Sequence, residues 1–395
     1  MQIKELPNRV LSNGLAMVGP PPHECRVMGS KMAPLWLVFE NAFPDEFENK
    51  TKFTVLWKEG DDLRQDQLTL QVMATMDILW KMEGYDMNMV LYKCVSTGSM
   101  EGMLEIVENA TTVGEITKQG AHGLYDENKN KGGKKVSINK FTAAFGAFST
   151  DVIKKWMVHQ AHKNSRASTV INSTSNDATH VKKRKGHVKT RRSGLSNESK
   201  ESERNEWTTS RLPRYSSLYS SNQFSMYLEL MLNNFMFSLA GSIIVTHVLG
   251  IGDRHNDNYM IKADGTFFHI DFGHIMGNFK TKAGWDVENK IFVFTKAMSH
   301  ALGDSRYSKF EAICVETFNI ARRNGNLLLT MLYLLTGCGL PELKDTNDLK
   351  WPLEKLMLNE SDEAAADHIK KHLKIASEAS TRSKLKNAAH LWKHT

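Results

Sequence analysis

Cysteine and proline are sparse: four and nine residues respectively in a chain of 395. Cys25, Cys94, Cys314 and Cys338 lie far apart with no CxxC pair, which argues against a disulfide framework or a cysteine metal site and suits a reducing cytosol. No charged-then-apolar leader opens the chain. An uninterrupted hydrophobic run of bilayer length is also missing. The longest, Phe235–Ile251, is broken by Ser238, Ser242, Thr246 and His247 and stops at a charged loop, so it reads as a buried helix plus a loop rather than a membrane span. A pervasive charge of one sign is missing too: the net charge is +7, and Lys182–Arg192 alone carries seven Lys/Arg and no acid. The rest is near balance, so the basic pI says little about the folded body. What remains, 41% apolar and 24% charged residues, is an ordinary globular composition, long enough for two or three domains.

What is present is concentrated in Gly250–Asn278, GIGDRHNDNYMIKADGTFFHIDFGHIMGN. Asn258–Ala263 and Thr266–Asp271 are rich in Tyr, Met, Ile and Phe and read as two strands. The break between them, Asp264-Gly265, is a favoured two-residue hairpin turn, because both residues tolerate positive φ. A two-residue turn sets Ala263 opposite Thr266 and Asn258 opposite Asp271. An amide oxygen and a carboxylate then meet at the open end of the hairpin, two hard oxygen ligands of the kind Mg²⁺ prefers. Asp253 precedes Asn258 by five residues, the spacing between catalytic base and metal ligand in protein kinases, where an Asp-Phe-Gly supplies the second ligand. A lone DFG is a weak signal, and an ordinary hairpin with polar ends is the bland reading. Loop, hairpin and DFG together at this spacing are far more specific.

GDRHNDN followed by HIDFGH resembles the catalytic loop and metal motif of the phosphoinositide 3-kinase family, of class I type, within the wider phosphatidylinositol 3-/4-kinase family. That family orders the loop Asp-Arg-His where protein kinases read His-Arg-Asp. Its protein-kinase relatives usually read GDRHPSN, and Asn256 in place of that proline favours a lipid kinase. The resemblance implies an α+β, bilobal protein-kinase-like fold, with an antiparallel N-lobe sheet plus helices and a mostly helical C-lobe. It places the N-lobe at 25–107, the C-lobe at 108–395, the catalytic loop at 250–258 and the activation loop at 271–295. Residues 1–24 read as a linker or the remnant of an upstream domain. They leave no room for the upstream modules usual in the family, so the chain is expected to be a fragment or a reduced enzyme.

In chain order, Cys25–Val27 and Pro34–Phe39 read as strands around a short loop. Such a loop can fold N–H groups and a hydroxyl over phosphates, although one glycine makes a plain hairpin the simpler reading. CRVMGSKMAPLWL resembles the family's phosphate loop, with Ser30 and Lys31 in matching places and Ala33 where a basic residue is usual. Phe53–Lys58 alternates like a strand. Lys58 ends it and is followed by Asp61 or Asp62 as a helix cap, then by Leu68, Val72, Met76, Leu79 and Trp80 at helical spacing. A strand-end lysine is usually just solvated, and Asp66 alone would read as charge compensation at a helix start. KEGDDLRQDQLTLQ resembles the family motif in which that lysine meets nucleotide phosphates and the last aspartate lines the inner pocket, which implies those roles for Lys58 and Asp66. Asn88–Cys94 and Gly102–Val107 read as further strands. The resemblance matches Tyr92 to a tyrosine facing the aspartate, and Met103–Val107 to the hinge, where the main chain of Glu105 and Val107 would bond adenine. Met260 and Ile270 complete the expected ATP-binding set.

Asn164–Asn222 is rich in Ser, Thr, Asn, Lys and Arg and almost free of large aliphatics. It reads as a disordered insertion in the C-lobe, since it cannot bury enough surface to offset its ordering entropy. A solvated loop is the plain reading of its basic run; anionic lipid, nucleic acid or a nuclear import receptor are the partners that its charge would suit. Phe224–Leu249 reads as the buried helix that delivers the catalytic loop. Lys280, Lys282 and Lys290 lie in the activation loop, whose cations in the family read lipid head-group phosphates; Val287-Glu288-Asn289-Lys290 stands where class I loops often carry a second Lys-x-Arg cluster. Phe310–Tyr333 and Asp348–Lys374 read as helices, and Lys384–Thr395 as a short amphipathic one, for contact with either a membrane surface or the C-lobe.

The expected activity is transfer of the ATP γ-phosphate to the 3-hydroxyl of a phosphoinositide, by a cytoplasmic enzyme peripheral to membranes, with or without a regulatory subunit. Asn258 and Asp271 hold Mg²⁺, Lys58 and Ser30 bind phosphates, and His255 acts either as general base or as stabiliser of the moving phosphoryl group. Asp253 orients His255 or shares the base role. The alternatives are a phosphatidylinositol 4-kinase, a protein kinase of the same superfamily and a non-enzymatic scaffold.

Overall fold

The computed structural model describes residues 17–18, 24–29, 32–41, 51–121, 123–125, 149–178, 215–279, 281–282, 285–286 and 292–378. Ser30, Lys31, Lys280, Lys290, the basic run at 182–192 and the amphipathic segment at 384–395 lie outside the described residues, and Lys282 is described by its backbone alone.

Short strands β1 (Met17–Val18) and β2 (Arg26–Val27), the longer β3 (Leu35–Asn41) and β4 (Lys52–Glu59), then β5 (Cys94–Gly98) and β6 (Glu101–Glu105) form an antiparallel sheet ordered β1-β3-β4-β6-β5, with β2 also on β3. Its alternating pattern buries Leu37, Phe39 and Val55 together, with Leu35, Trp57 and Met103 packed around them. Helix α1 (Arg64–Met82) packs against β5. Its N-cap is Leu63, with no side-chain cap. Asp62 accepts the Arg64 N–H at 3.1 Å, but Asp61 pairs with Lys58 instead. The strand expected over Asn88–Cys94 is not formed before Cys94. Met89, within it, lies against Gly241, and Met87 just before it is fully buried.

Strand β7 (Ala110–Thr112) joins β8 (Tyr259–Lys262) and β9 (Phe267–His269) in a second antiparallel sheet. Between β7 and β8 in the chain come α2 (Val113–Ala121), which packs on both strands, α3 (Val152–Ala178) and α4 (Tyr215–Leu249). Beyond β10 (Thr281–Lys282) and β11 (Trp285–Asp286) come α5 (Lys296–Leu302), α6 (Asp304–Arg323), α7 (Gly325–Tyr333), α8 (Lys350–Lys355) and α9 (Asp362–Glu378). An antiparallel sheet with helices followed by a helical part is the bilobal, kinase-like α+β fold that the sequence implied. Trp80 on α1 is fully buried and donates to Thr317 O on α6 at 2.9 Å, tying the first part to the second.

Three expectations are corrected. Phe310–Tyr333 is two helices, separated at Asn324, whose amide donates back to Ile320 O at 2.9 Å. Asp348–Lys374 is a 3-10 turn (Thr346–Leu349) followed by α8 and α9. Helices α3 and α4 both run into the stretch 164–222 that was expected to be disordered. The chain divides into two compact units, Met1–Met157 with Leu230–Thr395, and Val158–Glu229. In the second, the rings of His162 and Phe224 stack at 4.0 Å. The stretch Asn222–Leu249 is long and apolar enough to cross a membrane, but 67% of its most apolar part is buried in protein, as expected of a core helix.

Candidate active site

The hairpin forms, but not with the expected turn. Tyr259 pairs with His269 and Ile261 with Phe267, a register one residue away from the one a two-residue turn would set. The loop is three residues, Ala263-Asp264-Gly265: Gly265 N–H donates to Lys262 O, and Lys262 N–H to Thr266 O, both at 2.8 Å. Gly265 sits at φ +91°, the left-handed residue that such a loop requires. A Cβ there would lie 2.2 Å from Met231 O, because the turn rests on the backbone of α4. Asn234 Nδ2 donates to Asp264 O at 2.9 Å, and Ser238 Oγ accepts the Phe267 N–H at 2.8 Å, so α4 docks the hairpin along its length. Asn258 therefore stands opposite Ile270, whose N–H donates to Asn258 O at 3.1 Å, and Asp271 is the next residue out.

Arg254 draws the two ends together. Its guanidinium donates to Gly252 O at 2.6 Å, Asn258 O at 3.1 Å, Ile270 O at 2.8 Å and Asp271 O. One planar fork thus fixes the catalytic loop against the strand that leads into DFG. Asn258 is buried, and its Nδ2 donates to Asp253 O at 2.9 Å, so its amide oxygen faces away from that bond. Asp253 and Asp271 both hold left-handed backbone, φ 51° and 64°, a conformation that aspartate tolerates better than most residues. At the outer side of the loop, Asp257 packs on Gly114 at the start of α2, where a Cβ would lie 1.9 Å from Asp257 Oδ1. His255 O accepts the Asn258 N–H at 2.8 Å, closing the loop on itself.

The segment after DFG is zipped to the segment before the catalytic loop. Gly252 N–H donates to His274 O, Met276 N–H to Leu249 O and Gly277 N–H to Gly250 O, at 2.7–3.1 Å. Gly250 and Gly277 have positive φ, and a Cβ on either would strike the Trp351 indole, which donates to His247 O at 3.1 Å.

From the other side comes the first turn of α1. Gln65 is buried and donates to Phe272 O at 2.9 Å, while Asp66 Oδ1 accepts the Phe272 N–H at 3.2 Å. Tyr92 stacks on Phe272, ring centroids 6.5 Å apart. Lys58 Nζ donates to Asp61 Oδ2 at 2.9 Å. Burial pulls the Lys58 ammonium down, but the hydrogen bond and charge of Asp61 and the charges of Asp271 and Asp66 outweigh it and hold it above its ordinary value. Burial pushes the Asp66 carboxyl up to about 6 against the opposing pull of Lys58. One cation thus sits among three carboxylates at the junction of β4, α1 and DFG.

A family profile described as phosphatidylinositol 3- and 4-kinase matches residues 52–345. The chain belongs to that family. It is 32% identical over 374 residues to phosphatidylinositol 3-kinase 2 of Dictyostelium discoideum, covering 94% of this chain and 16% of the relative. Phosphatidylinositol 3-kinase 3 of the same organism matches at 32% over 89% of this chain and 16% of its own length. The human phosphatidylinositol 4-phosphate 3-kinase C2 domain-containing subunit beta matches at 31% over 88% of this chain and 16% of its own length. The chain thus spans 16% of each of these relatives.

For a phosphatidylinositol kinase site, the structure brings Lys58, Asp66, Tyr92, Asp271 and Arg254 within electrostatic reach of one another. At the hinge, Glu105 N–H is taken by Lys93 O at 2.8 Å and Ile106 N–H by Thr54 O at 3.0 Å. Met260 and Ile270 are half-buried, on β8 and beside β9. Sequence reasoning missed Arg254, Gln65 and Glu342. The first two sit inside the motifs already singled out. Glu342 carries no local signal: its carboxylate reaches His274 from 68 residues away.

Proposed function

We propose that the chain is an ATP-dependent phosphatidylinositol 3-kinase, acting on the inositol 3-hydroxyl of phosphoinositides at a membrane surface. The carrying observation is Lys58 amid Asp61, Asp66 and Asp271, directly beside the DFG backbone. The 3-position is favoured by the relatives, each named a 3-kinase.

Asn258 and Asp271 offer an amide oxygen and a carboxylate, hard donors that fit Mg²⁺. When bound, Mg²⁺ would neutralise charge on the nucleotide phosphates. Lys58 holds those phosphates as Asp61 yields its partner. Glu105 O and Val107 N–H orient the base, with Met260, Ile270 and Tyr92 around the pocket and Ser30 and Lys31 over the phosphates. His255 takes the proton of the lipid hydroxyl or steadies the moving phosphoryl group, and Asp253 orients it. Lys280, Lys282 and Lys290 meet the head group.

Purified chain incubated with labelled ATP, Mg²⁺ and vesicles of phosphatidylinositol or its phosphates is expected to label the 3-hydroxyl, read by chromatography of the deacylated product. Lys58→Met should lower kcat by about 10²–10³. Label at the 4-hydroxyl would make it a 4-kinase. Peptide labelling without lipid labelling would make it a protein kinase.

A further inference from the structure

Glu342 is tied into the site at three points. Oε1 lies 2.7 Å from His274 Nδ1, Oε2 accepts the Ile275 N–H at 2.5 Å, and its own N–H donates to Gln65 Oε1 at 3.2 Å. Gln65, 2% exposed, holds Phe272 O with its other amide atom. The strap before Glu342 is anchored as well, since Arg64 donates to Cys338 O at 3.2 Å and Gly339 O at 3.0 Å while Asp62 fixes its guanidinium. A solvent-exposed ion pair with one contact would contribute little. Here both carboxylate oxygens have separate partners, the side chain is mostly buried, and its backbone is held from α1.

An ionised carboxylate can only accept hydrogen bonds, so the proton of this pair sits on His274 Nδ1. In the neutral ring, Nε2 is then the lone-pair nitrogen. We propose that Glu342 is a positioning residue for phosphoryl transfer: it fixes His274 as the Nδ1–H tautomer and holds the turn after DFG in register with α1. This rests on the kinase reading of the site and extends it to a residue outside the loop, hairpin and DFG. The strap 337–342 becomes a working part of the site.

The test joins a spectroscopic readout to a mutant cycle. ¹⁵N imidazole spectra of the full chain, with His274 assigned by its loss in His274→Ala, should show Nδ1–H in the wild type. Glu342→Ala should shift the ring toward Nε2–H. With lipid and ATP, Glu342→Ala should lower kcat about tenfold or more, with the KM for ATP changed less than about threefold. The isosteric Glu342→Gln, which keeps one acceptor, should recover part of that loss and guards against a folding defect. In a His274→Ala background the Glu342→Ala change should cost less than in the wild type, the remainder coming from the bond to Ile275 N–H. A wild-type ring protonated at Nε2, or a Glu342 effect undiminished in that background, would overturn the assignment. The spectra need no catalysis, so a wild type inactive on lipids would sink the kinase reading and leave this positioning to be decided by the ring signal.

Discussion

The Asp66 carboxylate accepts the main-chain N–H of Phe272 at 3.2 Å, across 206 residues of chain, and it does so while largely buried. Burial lifts its pKa to about 6 from an ordinary 3.8. A carboxyl that holds its proton more tightly when folded favours the folded state at low pH and loses that contribution as pH rises from about 4 to about 6. Asp66→Asn keeps an acceptor for Phe272 without the buried charge. Its stability relative to wild type should therefore rise across that window, by about 2–4 kcal/mol at full effect, while its affinity for Mg²⁺-ATP falls. Urea unfolding of both proteins at pH 4, 5, 6 and 7 measures the trend, and a flat difference would refute it.

Arg254 bonds four carbonyl oxygens at once, those of Gly252, Asn258, Ile270 and Asp271. Lysine keeps the charge but has no planar fork. Arg254→Lys should cost roughly 10–100-fold in kcat because Asn258 and Asp271 are no longer held at a fixed separation. Steady-state kinetics with a melting curve checks it: activity equal to wild type would show that the fork is dispensable.

Gly265 is the turn residue at φ +91° pressed on the α4 backbone. Gly265→Ala places a methyl group into Met231 O and a side chain in a left-handed conformation, for which the conformational term alone is about 1–2 kcal/mol. The melting temperature should fall by several degrees, and kcat should fall with it, since the hairpin carries Asn258 at one end and Asp271 at the other. A variant as stable as wild type would mean that the turn is free to lift off α4.

Three imidazoles meet where α4 ends and α9 passes: His247, His368 and His372, with ring centroids 4.0–5.8 Å apart. Phe292 and Phe318 close round His247, and Lys355 and Lys371 add positive charge. Burial, then the neighbouring cations, holds His247 well below its ordinary value and His368 at about 4. A base that binds its proton less tightly when folded stabilises above its unfolded pKa of 6.5 and loses that contribution as pH falls toward 4. For His368, discounted for solvent screening, this is on the order of 1 kcal/mol. His368→Leu should lose less stability than wild type between pH 7 and pH 5, measured by chemical denaturation. An identical pH dependence would place the acid lability elsewhere.

The fold class was legible because sheet alternation, the strand-end lysine and the hairpin all follow local rules. The register was not, because Asp264-Gly265 fits a two-residue and a three-residue loop alike, and the contact of Gly265 with Met231 O decides between them. Asn88–Cys94 has the residues of a strand, yet Met89 lies against Gly241 of α4, and tertiary contacts override propensity. The loop, hairpin and DFG stood out in the sequence. The groups that hold them, Arg254 on four carbonyls and Glu342 on His274, act through backbone atoms or across long separations, and residue type alone does not reveal such bonds.

The zipper between Leu249–Gly252 and His274–Gly277, closed by Trp351, sets a boundary inside the lower half of the site. Gly250 and Gly277 face one indole, so neither strand of the zipper can shift without the other. Phe279 extends the zipper, its ring set edge-on to the same Trp351 indole at 5.1 Å. A larger residue at either glycine, or a smaller one at Trp351, would therefore disturb the loop at 250–258 and the segment after DFG together.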